Sequence, residues 1–433
     1  MNLCQHRINV PLVALSRKRD VSYNTKLLMK SALTVGAAKI SSNDGGAAAC
    51  GCCRLNSELL RERAVKNLSV FALLIGSVVS TSPGAVTSSI LSPMISFGGG
   101  DGWLAPGERS YLTTNDNQAG LAFNRVSGHL LLVNRAGGLS IPILDSVTGT
   151  DVGTLNAAIV PFNPGVYPLH MISVANSGAI YAANVADSAT AQFRIYQWDN
   201  EASAPFLSYQ QAQGTARLGD AMDVTVVDGV DWLAVSAAPG ISGGTYNGYF
   251  MFTTSGGAPF SATSVQFPSN PPAPGDHRLG LTFLGNDRVM GTPGGIARLS
   301  SLTYEGNYGL QSATFTGSAT LQSASERPMD FAVIGGTPVL ATLDTSTSMV
   351  RLYDMTVPLT PMLLDAHTNI FGPSNANSTG VGEVCFGSID GNTATLYALN
   401  ANNGVQAFNV AIPEPAGATF IALAALALAR RRR

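Results

Sequence analysis

The chain has 433 residues, only 12% of them Asp, Glu, Lys or Arg, and a formal net charge of −2 at neutral pH. A chain so weakly charged presents no basic face, so neither nucleic acid nor an acidic membrane surface is expected as a partner. Four of the five cysteines (Cys4, Cys50, Cys52 and Cys53) fall in the first sixty residues, which leaves Cys385 alone in the rest and excludes a disulfide framework there.

Residues 1–60 carry scattered basic residues and no hydrophobic period, and no element is predicted in them. Cys50, Cys52 and Cys53 have no second pair at zinc spacing and no histidine nearby, so no metal site is expected. Residues 61–85 are different. Arg61, Arg63 and Lys66 form a positive start, residues 68–79 are an apolar run, and small residues follow through Ala85. That is the layout of a secretory signal peptide. Such a signal belongs at a chain start, so the expectation is that translation begins near Val65 and that residues 1–60 are an over-extended leader.

The body, residues 86–411, consists of short alternating or apolar runs bounded by Gly, Asn and Asp turns. The runs come in sets. Their opening strands are predicted at residues 120–124, 171–175, 221–227, 280–284, 329–334 and 382–388. Comparable positions (Leu121, Ile172, Val224, Leu281, Phe331, Val384) recur about every fifty residues. The pattern predicts an all-β fold: a single β-propeller of about six four-stranded blades, with five to seven compatible with the spacing. The alternative is a tandem β-sandwich. The sixth set ends before a fourth strand, and the run 110–114 precedes the first set. This run is expected to complete the last blade and so close the ring, because an open ring leaves two unpaired edges. Cys385, inside the apolar run 384–386, is expected to be a buried structural thiol.

Candidate chemistry is sparse. The body's four histidines, His129, His170, His277 and His367, show no metal-ligand spacing, and His129 (after a turn) and His367 (in a loop) are expected at the surface. Asp228-Gly229 and Asp390-Gly391 lack the further oxygen ligands of a calcium loop and read as tight hairpin turns. No cofactor is expected. Asp276, His277 and Arg278 form the densest polar cluster and directly precede an opening strand, which places them at the mouth of a propeller's central channel. Glu326-Arg327, Arg217 with Asp220, and Asn117-Gln118 occupy matching places in other sets. The expected ligand site is therefore Asp276, His277, Arg278 and Glu326, with Arg278 able to grip a carboxylate by two bonds and His277 titrating near neutral pH. No catalytic residue is assigned.

The chain closes on residues 412–433. Pro413-Glu414-Pro415 ends the folded body and gives an extended linker. Residues 416–429 are uncharged and helical by propensity, yet shorter than the roughly 20 residues a stable span needs. Arg430, Arg431, Arg432 and Arg433 would hold that end on the cytoplasmic side. Pro-Glu-Pro, apolar helix and terminal arginines in that order resemble the PEP-CTERM sorting signal of Gram-negative bacteria; Ile412 stands where that family usually has Val. The resemblance covers about the last twenty residues. It implies an exosortase as partner, transient membrane contact by residues 416–429, and delivery to the cell surface or beyond. Residues 97–103 and 120–129 also resemble a group of bacterial exported propellers, which brings no activity with it. The expected function is an exported surface or matrix protein presenting a propeller face to an extracellular polysaccharide or another surface protein. The alternative is an exported propeller enzyme, a polysaccharide lyase or glycoside hydrolase.

Overall fold

Alternating side chains bounded by residues that tolerate positive φ leave the backbone little choice but antiparallel hairpins, and those hairpins make up the fold. The computed structural model describes residues 90–161, 167–212, 214–241, 246, 248–253, 261–264, 273–305 and 309–413. All elements among them are strands, and no helix there is long and apolar enough to cross a membrane. Residues 1–60, the signal segment 61–85 and the tail from Glu414 onward, with its arginines and its 416–429 run, lie outside the described residues.

Two short strands come first, β1 (Leu91–Pro93) and β2 (Trp103–Leu104). Blade 1 is then β3 (Gln118–Asn124), β4 (His129–Asn134), β5 (Pro142–Asp145) and β6 (Asp151–Thr154). Blade 2 is β7 (Tyr167–Val174), β8 (Ile180–Val185), β9 (Gln192–Trp198) and β10 (Phe206–Ala212). Blade 3 is β11 (Ala216–Val227), β12 (Val230–Pro239), β13 (Tyr249–Thr253) and β14 (Ser261–Ser264). Blade 4 is β15 (Gly280–Phe283), β16 (Arg288–Thr292), β17 (Ile296–Glu305) and β18 (Gly309–Thr320). Blade 5 is β19 (Glu326–Ile334), β20 (Thr337–Asp344), β21 (Met349–Asp354) and β22 (Met362–His367). Blade 6 is β23 (Gly382–Asp390), β24 (Thr393–Asn400) and β25 (Gly404–Ala411), joined by β1 and β2. The fold is a six-bladed β-propeller and not a pair of sandwiches.

The hairpin turns behave as their sequences demand. Asp228 and Gly229 have φ of 51° and 79°, positive at both central positions, which is the geometry that matches strand twist in a two-residue loop. Gly335 and Gly336, at 58° and 82°, do the same in blade 5.

Side chains on both faces of each blade are apolar because each blade is sandwiched between two others. Six buried clusters result, each shared by consecutive blades. Met171, Tyr181, Leu233 and Phe252 join blades 2 and 3. Trp232, Tyr249, Leu281 and Val289 join blades 3 and 4. The cluster of Phe97, Leu121, Leu132, Tyr397 and Val405 joins blade 6 back to blade 1. The opening strands neighbour one another in the same order, β3 beside β7 and so on until β23 lies beside β3.

Closure differs from the sequence expectation in which strand performs it. Residues 110–114 form no strand. Gly107 N–H donates to the Leu112 carbonyl at 2.8 Å, so this segment turns back on itself, and Leu112 plugs the core between blades 6 and 1. The outer partner of β25 is instead β1, with Leu91 opposite Val410 and Pro93 opposite Phe408, while β2 sets Trp103 opposite Gln406. Pro93 can stand in this strand because an outermost strand has a row of N–H positions that need no partner, and proline is tolerated there. The closing segment is tied laterally as well. Leu91 N–H donates to Asp365 Oδ2 of blade 5 at 2.8 Å, and the Trp103 indole donates to the Asn403 carbonyl at 2.7 Å.

Candidate functional site

The six opening strands line a central channel holding about 460 Å³ of space. Three carboxyls face it, Asp223, Asp330 and Glu383, together with the Cys385 thiol. These side chains are half-buried, open toward the channel and otherwise surrounded by protein. Burial and their mutual repulsion raise them. Asp330 is pushed up to about 7, by burial first and by Asp223 next. Burial raises Asp223, and it raises Glu383 well above the usual range with Asp330 and Asp223 adding to it.

Two of these carboxyls act first as ties between blades. Asp223 Oδ2 accepts from the Phe283 N–H at 2.8 Å and from the Thr282 hydroxyl at 3.2 Å, both in blade 4. Asp330 Oδ2 accepts from the Phe386 N–H of blade 6 at 2.7 Å. Each also accepts its own next N–H, from Val224 and Phe331 respectively, at 2.7 Å. Ser173 donates to the Met222 carbonyl at 3.1 Å from the corresponding place in blade 2, and Cys385 accepts from the Phe123 N–H, linking blade 6 to blade 1. In each of these four blades a side chain of the opening strand thus reaches the next blade's backbone. Cys385 is correspondingly half-buried at the channel wall, not sealed in the core as the sequence implied.

The mouth is where the opening strands begin. Arg217 grips Asp220 with two bonds, of 2.5 and 2.6 Å, and lies 3.7 Å from Asp187. Arg278 Nε sits 2.9 Å from the same Asp220. Burial alone would raise the Asp220 carboxyl, but Arg217 and Arg278 outweigh it and hold it below its ordinary value. Arg135 lies over the Tyr167 ring at 4.5 Å and donates to the Asp116 carbonyl at 2.7 Å. His170 is buried beside it, and burial followed by Arg135 lowers its pKa to about 3.

The four residues expected to form the ligand site are not brought together as one group. Asp276 accepts from Ala273 N–H at 2.7 Å and pairs with Arg298 of β17 at 3.1 Å, which draws it into its own blade. His277 is fully buried between blades 3 and 4, edge-on to Tyr249 at 5.2 Å. Its ring lies so close to Gly291 that a Cβ there would come within 2.5 Å. Burial, then Arg298, lowers its pKa to about 3, so it does not titrate near neutrality as its sequence position implied. Glu326 is fully buried inside blade 5. It accepts from Ser323 N–H, Thr342 and Tyr353 at 2.7, 2.6 and 2.8 Å, with Arg351 at 3.4 Å. Arg278 alone of the four keeps a substantially exposed side chain, at 41%.

Two other histidines depart from their expected surface places. His129 Nδ1 is 2.7 Å from Glu201 Oε2, and His367 ends strand β22 edge-on to Phe408. Sequence reasoning named Arg327 as the neighbour of Glu326 but passed over Asp223, Asp330 and Glu383. The signal for Asp223 and Asp330 was present: each follows a methionine, Met222 or Met329, at the same register of its opening strand, where blade 2 has Ile172.

No family model matches the chain, and no curated protein matches it in sequence. Solved structures share the fold. A DUF4623 family protein from Bacteroides eggerthii is similar with a TM-score of 0.51 and 13% identity, over 70% of this chain and 72% of its own. A gluconolactonase from Xanthomonas campestris reaches 0.42 and 13%, over 69% and 86%. The β-propeller domain of Cps50 (Swd1) from Myceliophteria thermophila reaches 0.38 and 9%, over 68% and 83%. Identities this low speak to the fold and to nothing finer.

Proposed function

We propose that the protein is exported and displayed at the surface or in the extracellular matrix of a Gram-negative bacterium, where the mouth of its propeller binds a partner molecule. The observation that carries this reading is where the fold ends. The Ile412 N–H still donates to the Asn392 carbonyl at 2.8 Å, and the next residue, Pro413, opens the Pro-Glu-Pro segment. The last blade is already completed by β1 and β2 from the other end of the body. The described ring is thus closed with Ile412 as its last core residue, which supports reading the segment from Pro413 onward as an address read by an exosortase. Weak overall charge and arginines at the mouth, one of them largely exposed, favour selective contact with a partner over broad electrostatic adhesion.

The test is surface labelling and protease shaving of cells that express the full chain, beside a variant lacking residues 414–433. The full chain is expected at the surface and the variant retained inside the envelope. Equal surface display of both would refute the sorting role.

A second reading, an exported polysaccharide-cleaving enzyme, has one observation in its favour. Asp330, raised to about 7 and facing the channel, keeps a proton to donate in neutral solution. On this reading Asp330→Asn abolishes turnover of a polysaccharide substrate, and an unchanged rate excludes Asp330 as its acid.

A further inference from the structure

We infer that the propeller mouth takes the carboxylate of an acidic sugar, a uronate unit of a polysaccharide, with Arg327 as its main anchor and Arg278 as its second; the inference rests on the surface-binding reading above.

No lysine lies between residues 86 and 411, so every fixed positive charge of the body is an arginine. Among the described residues these guanidiniums pair with carboxylates or carbonyls, with one departure. Arg327 is given neither a hydrogen bond nor an ion pair, and its Nε is buried without a partner. A guanidinium kept partly out of water with no counter-charge is costly, and a bound anion removes that cost.

Arg327 is also held in place. Three glycines from the flanking blades make room for it. A Cβ at Gly280 would fall 1.7 Å from the Arg327 carbonyl oxygen, one at Gly380 would fall 1.5 Å from Nη1, and one at Gly294 would meet Nε at 3.5 Å. Gly280 thus makes way for the Arg327 backbone, and Gly294 and Gly380 for its side chain. Gly280 stands two residues from Arg278, so blades 4 and 5 bring the two arginines to adjacent places on the mouth. Arg278 spends its Nε on Asp220, and its terminal nitrogens make no hydrogen bond to the described residues. Two guanidiniums with unused planar N–H pairs match the two oxygens of a carboxylate.

The surroundings select among anions. Asp187 and Asp220 share Arg217 and Arg278, so the mouth is close to balanced apart from Arg327. A densely charged ligand such as a polyphosphate would meet these two carboxylates and be repelled. A uronate brings one charge per unit and several hydroxyls. The carboxylates can accept from those hydroxyls. An acidic peptide supplies the carboxylate but not the hydroxyls.

The experiment is calorimetric titration of the purified full chain with a short oligogalacturonate, an uncharged galacto-oligosaccharide and poly-L-glutamate, repeated with Arg327→Gln, Arg327→Lys and Arg278→Gln. Oligogalacturonate is expected to bind best. Arg327→Gln is expected to weaken it at least about tenfold, the loss of one charge-assisted contact. Arg327→Lys should fall between the two, because a point charge replaces a fork. Melting temperatures of the Arg327 variants should match or exceed the parent's, which separates lost binding from lost folding. No binding of oligogalacturonate, or binding that both Gln variants leave intact, would overturn the inference. Equal or tighter binding of polyglutamate would reassign the mouth to a peptide. Arginine-independent binding of the uncharged sugar overturns the uronate site and leaves the surface-binding reading standing, whereas a protein confined to the cell interior removes that reading instead.

Discussion

At the scale of single residues, the molecule trades charge against room. Gly380 sits at φ of +68° with no space for a methyl group beside Arg327. Gly380→Ala is therefore expected to displace the guanidinium and reduce anion binding about as much as removing it, with a stability cost of order 1–2 kcal/mol from the backbone strain. Melting and titration of the one variant check both. The channel carboxyls give a pH signature. A carboxyl raised in the fold binds its proton more tightly there than in the unfolded chain. Its contribution is complete below the unfolded value near 4 and is lost as pH rises through about 7, where Asp330 titrates. His170 and His277, both lowered to about 3, act in the opposite sense. Their contribution is present above about 6.5 and is lost as pH falls toward 3. Asp330→Asn cannot ionise, so the decline in melting temperature between pH 5 and pH 8 should shrink in that variant. An unchanged decline would show that Asp330 is not the group responsible. None of this was legible in the sequence, because burial, which sets these shifts, depends on which blades meet. His277 looked like an exposed titrating group from its Asp and Arg neighbours, and it is sealed between Tyr249 and Gly291.

At the scale of elements, the opening strands and turns could be read directly. A period-two pattern with Asp-Gly or Gly-Gly between runs admits one local structure, and Asp228-Gly229 adopts it. The third blade's outer strand lies at Ser261–Ser264, a run of small, mostly polar residues that carries no alternation to mark it. Outer strands carry less apolar patterning, so little marks their register. The closing strand was missed for a related reason. Residues 110–114 alternate like a strand, but a turn at Gly107 folds them inward, while the two-residue β2 and the proline-bearing β1 are too short to announce themselves. Removing residues 90–104 is expected to expose the β25 edge. It would delete fully buried Leu91 and Phe97 along with the β1 and β2 ladders. Each core side chain is worth about 2–5 kcal/mol and each ladder bond about 0.5–1.5. Light scattering should show aggregation through the bared edge, with a lowered melting point. Leu91→Ala alone should lower stability by about 2–5 kcal/mol and leave the protein monomeric.

At the scale of the whole molecule, six shared cores make the ring one cooperative object, and its two ends meet in one blade. This is why a segment before residue 105 and one after residue 403 depend on each other, and why the blade count was readable from a repeat near fifty residues. Of the candidate mouth, the repeat placed Arg217, Asp220, Arg278 and Arg327 at matching starts of opening strands, while Arg135 and Asp187 went unread because they stand outside those starts. The central claim, proposed above, is that this ring is displayed outside the cell after its tail is removed. The most direct test is intact-mass analysis of the protein recovered from the outer surface of expressing cells. The account expects a species beginning within residues 79–86 and ending within residues 413–417. A surface-exposed species that still carries Arg433, or one that retains residues 1–60, would contradict it.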